Sequence, residues 1–312
     1  MEVFMNTISR VKIIVAILPV LLWSFTIYAG DDSTLKVTNR TVIENVGLST
    51  PESVEYYPAE DVYLVTNING SPFAADGNGF VSKIKPDGSV IDLKWLDGSK
   101  EGISLNAPKG AAIQDNLLYI ADINQVQIFE LPSGKQKTSV NIEESTFLNG
   151  ITPGAGDYVY VTDSGFEEGF KPTNTDAVYQ VWPNGKYQAI ATGKALGNPN
   201  GIFWDGTKLL VVTFGTGKLL SLETNGKLDS LPSPPKGSLD GILKLKDGNI
   251  LVSSWAAAAI YQLNNDKTYS VLADSLESPA DIGLDTKRNI VLTPLFNKNE
   301  VVLLQLSSGD SN

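Results

Sequence analysis

Six short segments of the chain each set one polar residue at the start of an apolar run: TPESVEY, APKGAAI, FLNGITP, NPNGIFW, SLDGILK and SPADIGL. The polar residues are Glu52, Lys109, Asn149, Asn200, Asp240 and Asp281, and five of the six are oxygen donors. Carboxylates and carboxamides brought together repel one another and lose hydration unless a cation sits among them. Hard oxygen ligands select calcium or magnesium. Calcium (Ca2+) is the first expectation, because six segments offer several protein ligands with loose geometry; Mg2+ and Zn2+ are the other divalent choices. The competing reading is a wet channel mouth whose polar side chains bind only water. The chain has no His and no Cys. That excludes His-based triads, His general bases, thiolate nucleophiles and His-rich zinc sites.

Something must bring residues so far apart in sequence to one place. Short runs rich in Val, Ile, Leu and Tyr follow each segment: DVYLVTNI, NLLYIADI, DYVYVTDS, KLLVVTFG, NILVSSWA and NIVLTPLF. They are bounded by Gly, Pro, Asn and Asp, which is the signature of strands, and they recur roughly 40–55 residues apart, the period of propeller blades. Most are followed by a strand, a tight turn and another strand, as in VSKIKPDGSVI and VYQVWPNGKYQ. Each unit therefore reads as a four-stranded antiparallel blade. The chain reads as an all-β protein, a six-bladed β-propeller over residues 33–307. A pair of β-sandwiches would not repeat at this period. The sixth unit ends at NEVVLLQL without a fourth strand, and LKVTNRTVIENV (35–46) precedes the first. That N-terminal strand is expected to complete the last blade and close the ring, leaving no open edge.

The repeat also separates turns from site residues. Asp87-Gly88, Asn184-Gly185, Asp205-Gly206, Asn225-Gly226 and Asp247-Gly248 lie between strands and read as hairpin turns. Asn149-Gly150, Asn200-Gly201 and Asp240-Gly241 instead open the first strand of a blade. In a propeller those first strands line the central channel and run the same way, so the six polar residues should form a ring round one mouth.

The first 29 residues read as a secretory signal peptide: Arg10 and Lys12 precede the apolar stretch IIVAILPVLLWSFTIYA, which ends in Ala29. An uncleaved N-terminal anchor is the other reading, and both place the rest of the chain outside the cytoplasm, periplasmic or secreted. The tail 308–312, SN-terminated and polar, reads as disordered. The formal net charge is −11, and removing Glu2, Arg10 and Lys12 with the leader makes it one unit more acidic. Such a surface repels phosphate backbones, so nucleic acid is not an expected partner. Without disulfides, an exported chain needs a large ordinary core. The expectation is a monomer acting on a small molecule, with no membrane partner once the leader is removed.

At ESVEY, NPNGIFW, LDGILKLKDGNILV and, more weakly, FLNGI, the sequence resembles the regucalcin, gluconolactonase and luciferin-regenerating family of six-bladed propellers. The resemblance covers about residues 45–306 and implies that Glu52, Asn200 and Asp240 hold one divalent cation, with Asn149 adding a ligand or touching substrate. Two departures stand out. Val54-Glu55 replaces a Pro-containing segment, and Phe147-Leu148 precede Asn149 where the sugar-acid lactonases carry an Arg, which argues against gluconolactone itself. The resemblance implies a calcium-dependent hydrolase of a lactone or similar ester. Asp240 is the first candidate for the base that activates water, with Asp281 and Glu55 next. Lys109 is placed to hold an anionic substrate group. Loops after the second strands are expected to wall the pocket with Asn67, Asn69, Asp122, Asp163, Phe214, Trp255 and Phe296. The alternatives are a non-catalytic binding propeller with a structural calcium, and another lyase or isomerase activity at the same site.

Overall fold

The computed structural model describes residues 35–307. The expected leader, 1–29, and the tail expected to be disordered, 308–312, lie outside the described residues. Strands dominate; the only helical element described is a single 3-10 turn, Lys194–Leu196. No helix among the described residues is long and apolar enough to cross a membrane.

Six four-stranded antiparallel sheets follow one another along the chain. Their innermost strands begin at Pro51, Pro108, Leu148, Pro199, Leu239 and, after an isolated bridge at Pro279, Gly283. The sixth sheet closes the ring. Its outermost strand is Val37–Ile43, paired antiparallel with Glu300–Leu306. An ion-pair cluster joins the sixth blade to the first: Arg288 reaches both carboxylate oxygens of Asp61 at 2.8 and 2.7 Å and Asp285 at 2.9 Å. The Tyr63 hydroxyl donates to Asp285 at 2.9 Å.

The apolar residues do not gather at one centre. They form separate slabs, each between two neighbouring blades. Val159 and Val161 pack towards the second blade, whereas Tyr160 between them packs towards the fourth. Leu118 and Ile120 face the first blade while Leu117, Tyr119 and Ala121 face the third. A strand buried on both faces needs apolar residues at every position, which is why these runs are continuous rather than alternating.

The hairpin dipeptides behave as their positions require. Gly88, Gly185, Gly206, Gly226 and Gly248 all have φ between 86° and 96°, the left-handed region that turns demand and glycine supplies. Gly150, Gly201 and Gly241 do not; they lie inside innermost strands. Each is there because the strands crowd at the axis. A Cβ on Gly201 would strike the Asp240 carbonyl oxygen of the next blade, and one on Gly150 would strike the Asn200 carbonyl oxygen.

Gly201→Ala should therefore destabilise the fold by about 1–3 kcal/mol through overpacking at the axis. Urea unfolding of the variant beside the parent chain measures it, and an unchanged midpoint would contradict the close approach.

A candidate cation site under an aromatic collar

Five of the six innermost strands carry a bulge at the residue the repeat singled out. In the fifth blade Leu239 pairs Ser254 but Ile242 pairs Val252, so Asp240 and Gly241 together oppose Ser253. The same two-for-one step occurs at Glu52-Ser53, Lys109-Gly110, Asn149-Gly150 and Asn200-Gly201. Bulges re-aim side chains, and here they turn the polar residue out of the blade. In alternate blades the opposing hydroxyl pins the bulge. Thr66 Oγ1 accepts from Ser53 N and donates to the Lys109 carbonyl, both at 2.9 Å. Thr162 does the same with Gly150 N and the Asn200 carbonyl, at 2.9 and 2.7 Å. Ser253 joins Gly241 N to the Ala280 carbonyl at 2.7 and 2.9 Å.

The outcome is one pocket floored by Glu52, Lys109, Asn149, Asn200 and Asp240. All five are only 1–6% exposed. Glu52 Oε2, Asn149 Oδ1 and Asp240 Oδ1 are buried without any hydrogen-bond partner. Such oxygens are costly to bury unless something positive meets them. Burial raises the carboxyl of Glu52 well above its ordinary value, and the Asp240 and Asp281 charges push it further; Lys109 opposes them. Burial, then the Asp281 charge, does the same to Asp240. Lys109 is pushed down to about 8 by burial, against the pull of Asp122, Glu52 and Asp163. Its ammonium donates to the Ala107 carbonyl at 3.2 Å and lies 4.2 Å from the Phe147 ring centre. Two carboxyls and two carboxamides thus share the floor with one ammonium, and a third carboxyl, Asp281, adds its charge from below. No group of three or more carboxylates lies close enough to hold a metal among the described residues, so any cation here needs Asn149 and Asn200 to complete its oxygen set. That donor set fits a hard divalent cation.

The walls repeat as regularly as the floor. Ile68, Phe214, Trp255 and Phe296 each follow the last residue of a second strand. Their amides donate to the carbonyls of Thr50, Asn198, Ser238 and Ser278 at 2.9–3.1 Å. Those four acceptors all have φ of 49–58°, which turns their carbonyls towards the wall residues. Trp255 lies 5.5 Å from Phe214 and 5.1 Å from Phe296, ring centre to ring centre. In the third blade the equivalent residue is Ser164, and an inserted hairpin, Phe166–Glu167 with Lys171–Pro172, supplies rings instead. Phe170 at its turn stacks on Phe214 at 6.1 Å and meets Phe73 of the first blade at 5.1 Å. Over the floor the centre of a water molecule can range over about 30 Å³, which is a narrow but usable space.

Several expected residues fall elsewhere. Asp281 is not the sixth member of the ring. Pro279 bridges Leu295 as Pro51 pairs Asn67, so Ala280 holds the equivalent place and Asp281 stands where the other blades have Gly or Ser53. Asp281 and Glu55 instead line a cavity at the opposite mouth, with Ile113, Ile202 and Lys244. Burial lifts Asp281 to about 7, and burial followed by the Asp281 charge raises Glu55. Neither lines the pocket above the ring, so neither is placed to act as base there. Asp122 and Asp163 do not wall the pocket either. Their oxygens are taken by backbone amides: Ala107 N at 2.8 Å and Asn106 N at 2.9 Å for Asp122, Phe147 N at 2.9 Å and Thr146 N at 3.2 Å for Asp163. They fasten the chain where it enters an innermost strand. Asn67 does the same for Ser49 N at 2.9 Å, and Asn69 bonds the Asn78 carbonyl within its own loop at 3.0 Å. Of the expected wall, Phe214, Trp255 and Phe296 are in place. The repeat did not reveal Phe147, Phe166 and Phe170, although SGFEEGFKP is an evident aromatic insertion.

Solved structures of the same architecture share little sequence with this chain. A gluconolactonase from Xanthomonas campestris superposes with TM-score 0.68 at 15% identity, covering 87% of this chain and 91% of that one. A chain proposed to be a gluconolactonase gives TM-score 0.64 at 14% identity, over 88% and 98% of the two chains. A catalytically inactive variant of virginiamycin B lyase from Staphylococcus aureus, solved with quinupristin, gives 0.56 at 13% identity, over 88% and 100%. No protein-family model and no curated protein matches the sequence. The chain has a gluconolactonase-like six-bladed propeller fold.

The raised carboxyls give a stability test. A group whose pKa is raised by folding stabilises the fold below its ordinary range and loses that contribution as pH rises through the folded value. With chelator present, thermal stability should fall as pH rises from about 5 through 7, the range between ordinary carboxylates and Asp281. Added calcium should flatten that trend by stabilising the ionised forms of Glu52 and Asp240. Melting curves across this range, with and without calcium, check both parts.

Proposed function

We propose that this propeller is a calcium-dependent hydrolase of a lactone or similar ester, working outside the cytoplasm as a monomer on a small molecule, with no nucleic-acid or membrane partner. The observation that carries the reading is the trio of unpartnered buried oxygens on Glu52, Asn149 and Asp240, converging in one pocket. These residues and Asn200 would hold the cation, with magnesium or zinc as the other divalent choices. Bound there, it would supply Lewis acidity that polarises an ester carbonyl and stabilises the developing oxyanion.

The rest of the chemistry falls to the chain. Asp240 is the carboxylate available to take a proton from the attacking water, and burial raises its proton affinity in the direction a general base needs. Lys109, held by the Ala107 carbonyl and the face of Phe147, would orient the carboxylate released by hydrolysis. The aromatic collar would keep bulk water from the floor.

A second reading, a non-catalytic propeller with a structural cation, draws on the tightness of the collar. A lyase reaction of the kind named for the neighbour above has less support. A variant of that enzyme lacking one histidine is inactive, and this chain has no His.

Asp240→Asn should lower turnover of lactones or aryl esters by at least about a hundredfold with the far-ultraviolet spectrum unchanged, and chelation should do likewise. Turnover indifferent to both would remove the hydrolase reading from this site. Chelation that lowers the melting temperature of a chain with no activity on any ester would favour the structural-cation reading.

A further inference from the structure

The polar atoms of the pocket all lie on its floor. Above them the wall is Ile68, Pro72 and a run of aromatic rings. Its one polar atom within the rings is Trp255 Nε1, which is buried, makes no close hydrogen bond and is directed at the Asp240 carboxyl, whose proton affinity it lowers. With one hydrogen to give, it serves at most a single acceptor. It cannot satisfy the several hydroxyls of a sugar, and a hydroxyl buried against this wall would lose its water without replacement. Apolar surface gains from the same wall.

The room above the floor is narrow: the centre of a water molecule can range over only about 30 Å³ there, so a lactone carrying alkyl or ring substituents fits only if part of the collar moves aside. Phe170 is the part built to do so. It is 45% exposed, whereas Phe147 and Phe166 are buried. It sits at the turn of a hairpin whose strands are two residues each, and it belongs to none of the slabs that join the blades. Its ring meets those of Phe73, Phe147, Phe166 and Phe214.

We infer that the ligand class of this pocket is an apolar or aromatic lactone or ester, not a polyhydroxylated sugar lactone, and that Phe170 is the ring it displaces and then packs against. The choice of a lactone or ester rests on the hydrolase reading, but the apolar preference itself does not need turnover.

Calorimetric binding to the calcium-loaded chain separates the two. The probes are a series of alkyl-substituted δ-lactams, which mimic lactones without being cleaved, and gluconolactam. Affinity should rise about fourfold for each added buried methylene, and gluconolactam should bind at least tenfold more weakly than the longest alkyl lactam. Phe170→Ala should weaken the alkyl lactams by about tenfold and leave gluconolactam unchanged, and Phe170→Leu should restore most of the loss. Gluconolactam binding as tightly as the alkyl series, or no binding of the alkyl series, would overturn the inference. Turnover of the matching lactones is then read separately. Alkyl lactams that bind while no lactone is hydrolysed would defeat the hydrolase reading and leave the apolar preference standing. Hydrolysis of gluconolactone without alkyl binding would do the reverse.

Discussion

The close approach of innermost strands at the axis governs the rest of the molecule. Gly110, Gly150, Gly201 and Gly241 each lie against the backbone of the next blade, with no room for a side chain. Two consequences follow from that crowding. The residue after each ring position must be small, and the strand must gain one residue relative to its partner to get past. The bulge that results is what lifts Glu52, Lys109, Asn149, Asn200 and Asp240 out of their sheets and onto a common floor. The site is therefore a by-product of how the ring packs. Oxygen donors were placed where the fold already delivers side chains to one point.

The same geometry makes the floor rigid and the collar divided. Hydroxyl clasps from Thr66, Thr162 and Ser253 tie each bulge to the neighbouring blade, so floor residues are held by two blades at once. Rigid placement of this kind is what allows partly unsatisfied oxygens to persist in a buried position. Where it follows the repeat, at Ile68, Phe214, Trp255 and Phe296, the wall is held instead by backbone bonds within each blade. The third blade breaks the pattern, and there the collar depends on a short hairpin.

Most of the architecture was legible because it repeats. Continuous apolar runs recurring at blade-length spacing specify blades, and the shortfall of one strand in the last unit specifies how the ring closes. Five floor positions were legible for the same reason. The sixth was misplaced by one residue because SPADIGL carries its polar side chain one step late; anchoring on Pro279, which matches Pro51, Pro108 and Pro199, recovers Ala280. Asp122 and Asp163 looked like pocket residues because carboxylates at strand ends face the same mouth. Only the structure shows their oxygens already spent on backbone amides. Phe166 and Phe170 lie in an insertion with no counterpart in the other blades, so the repeat does not point to them.

The closing strand has a temporal meaning. Val37–Ile43 pairs with Glu300–Leu306, so the last sheet joins the first residues of the domain to its final ones. Glu52 lies in the blade beside that seam and Asp240 in the blade before it. Contacts this distant along the chain are slow to form because the intervening loop must first be closed. On a chain made from its N-terminus, the two carboxylates face one another only after translation has passed the last strand. Any cation that prefers the finished floor would then act as a latch, arriving late and binding only a ring that has already met itself.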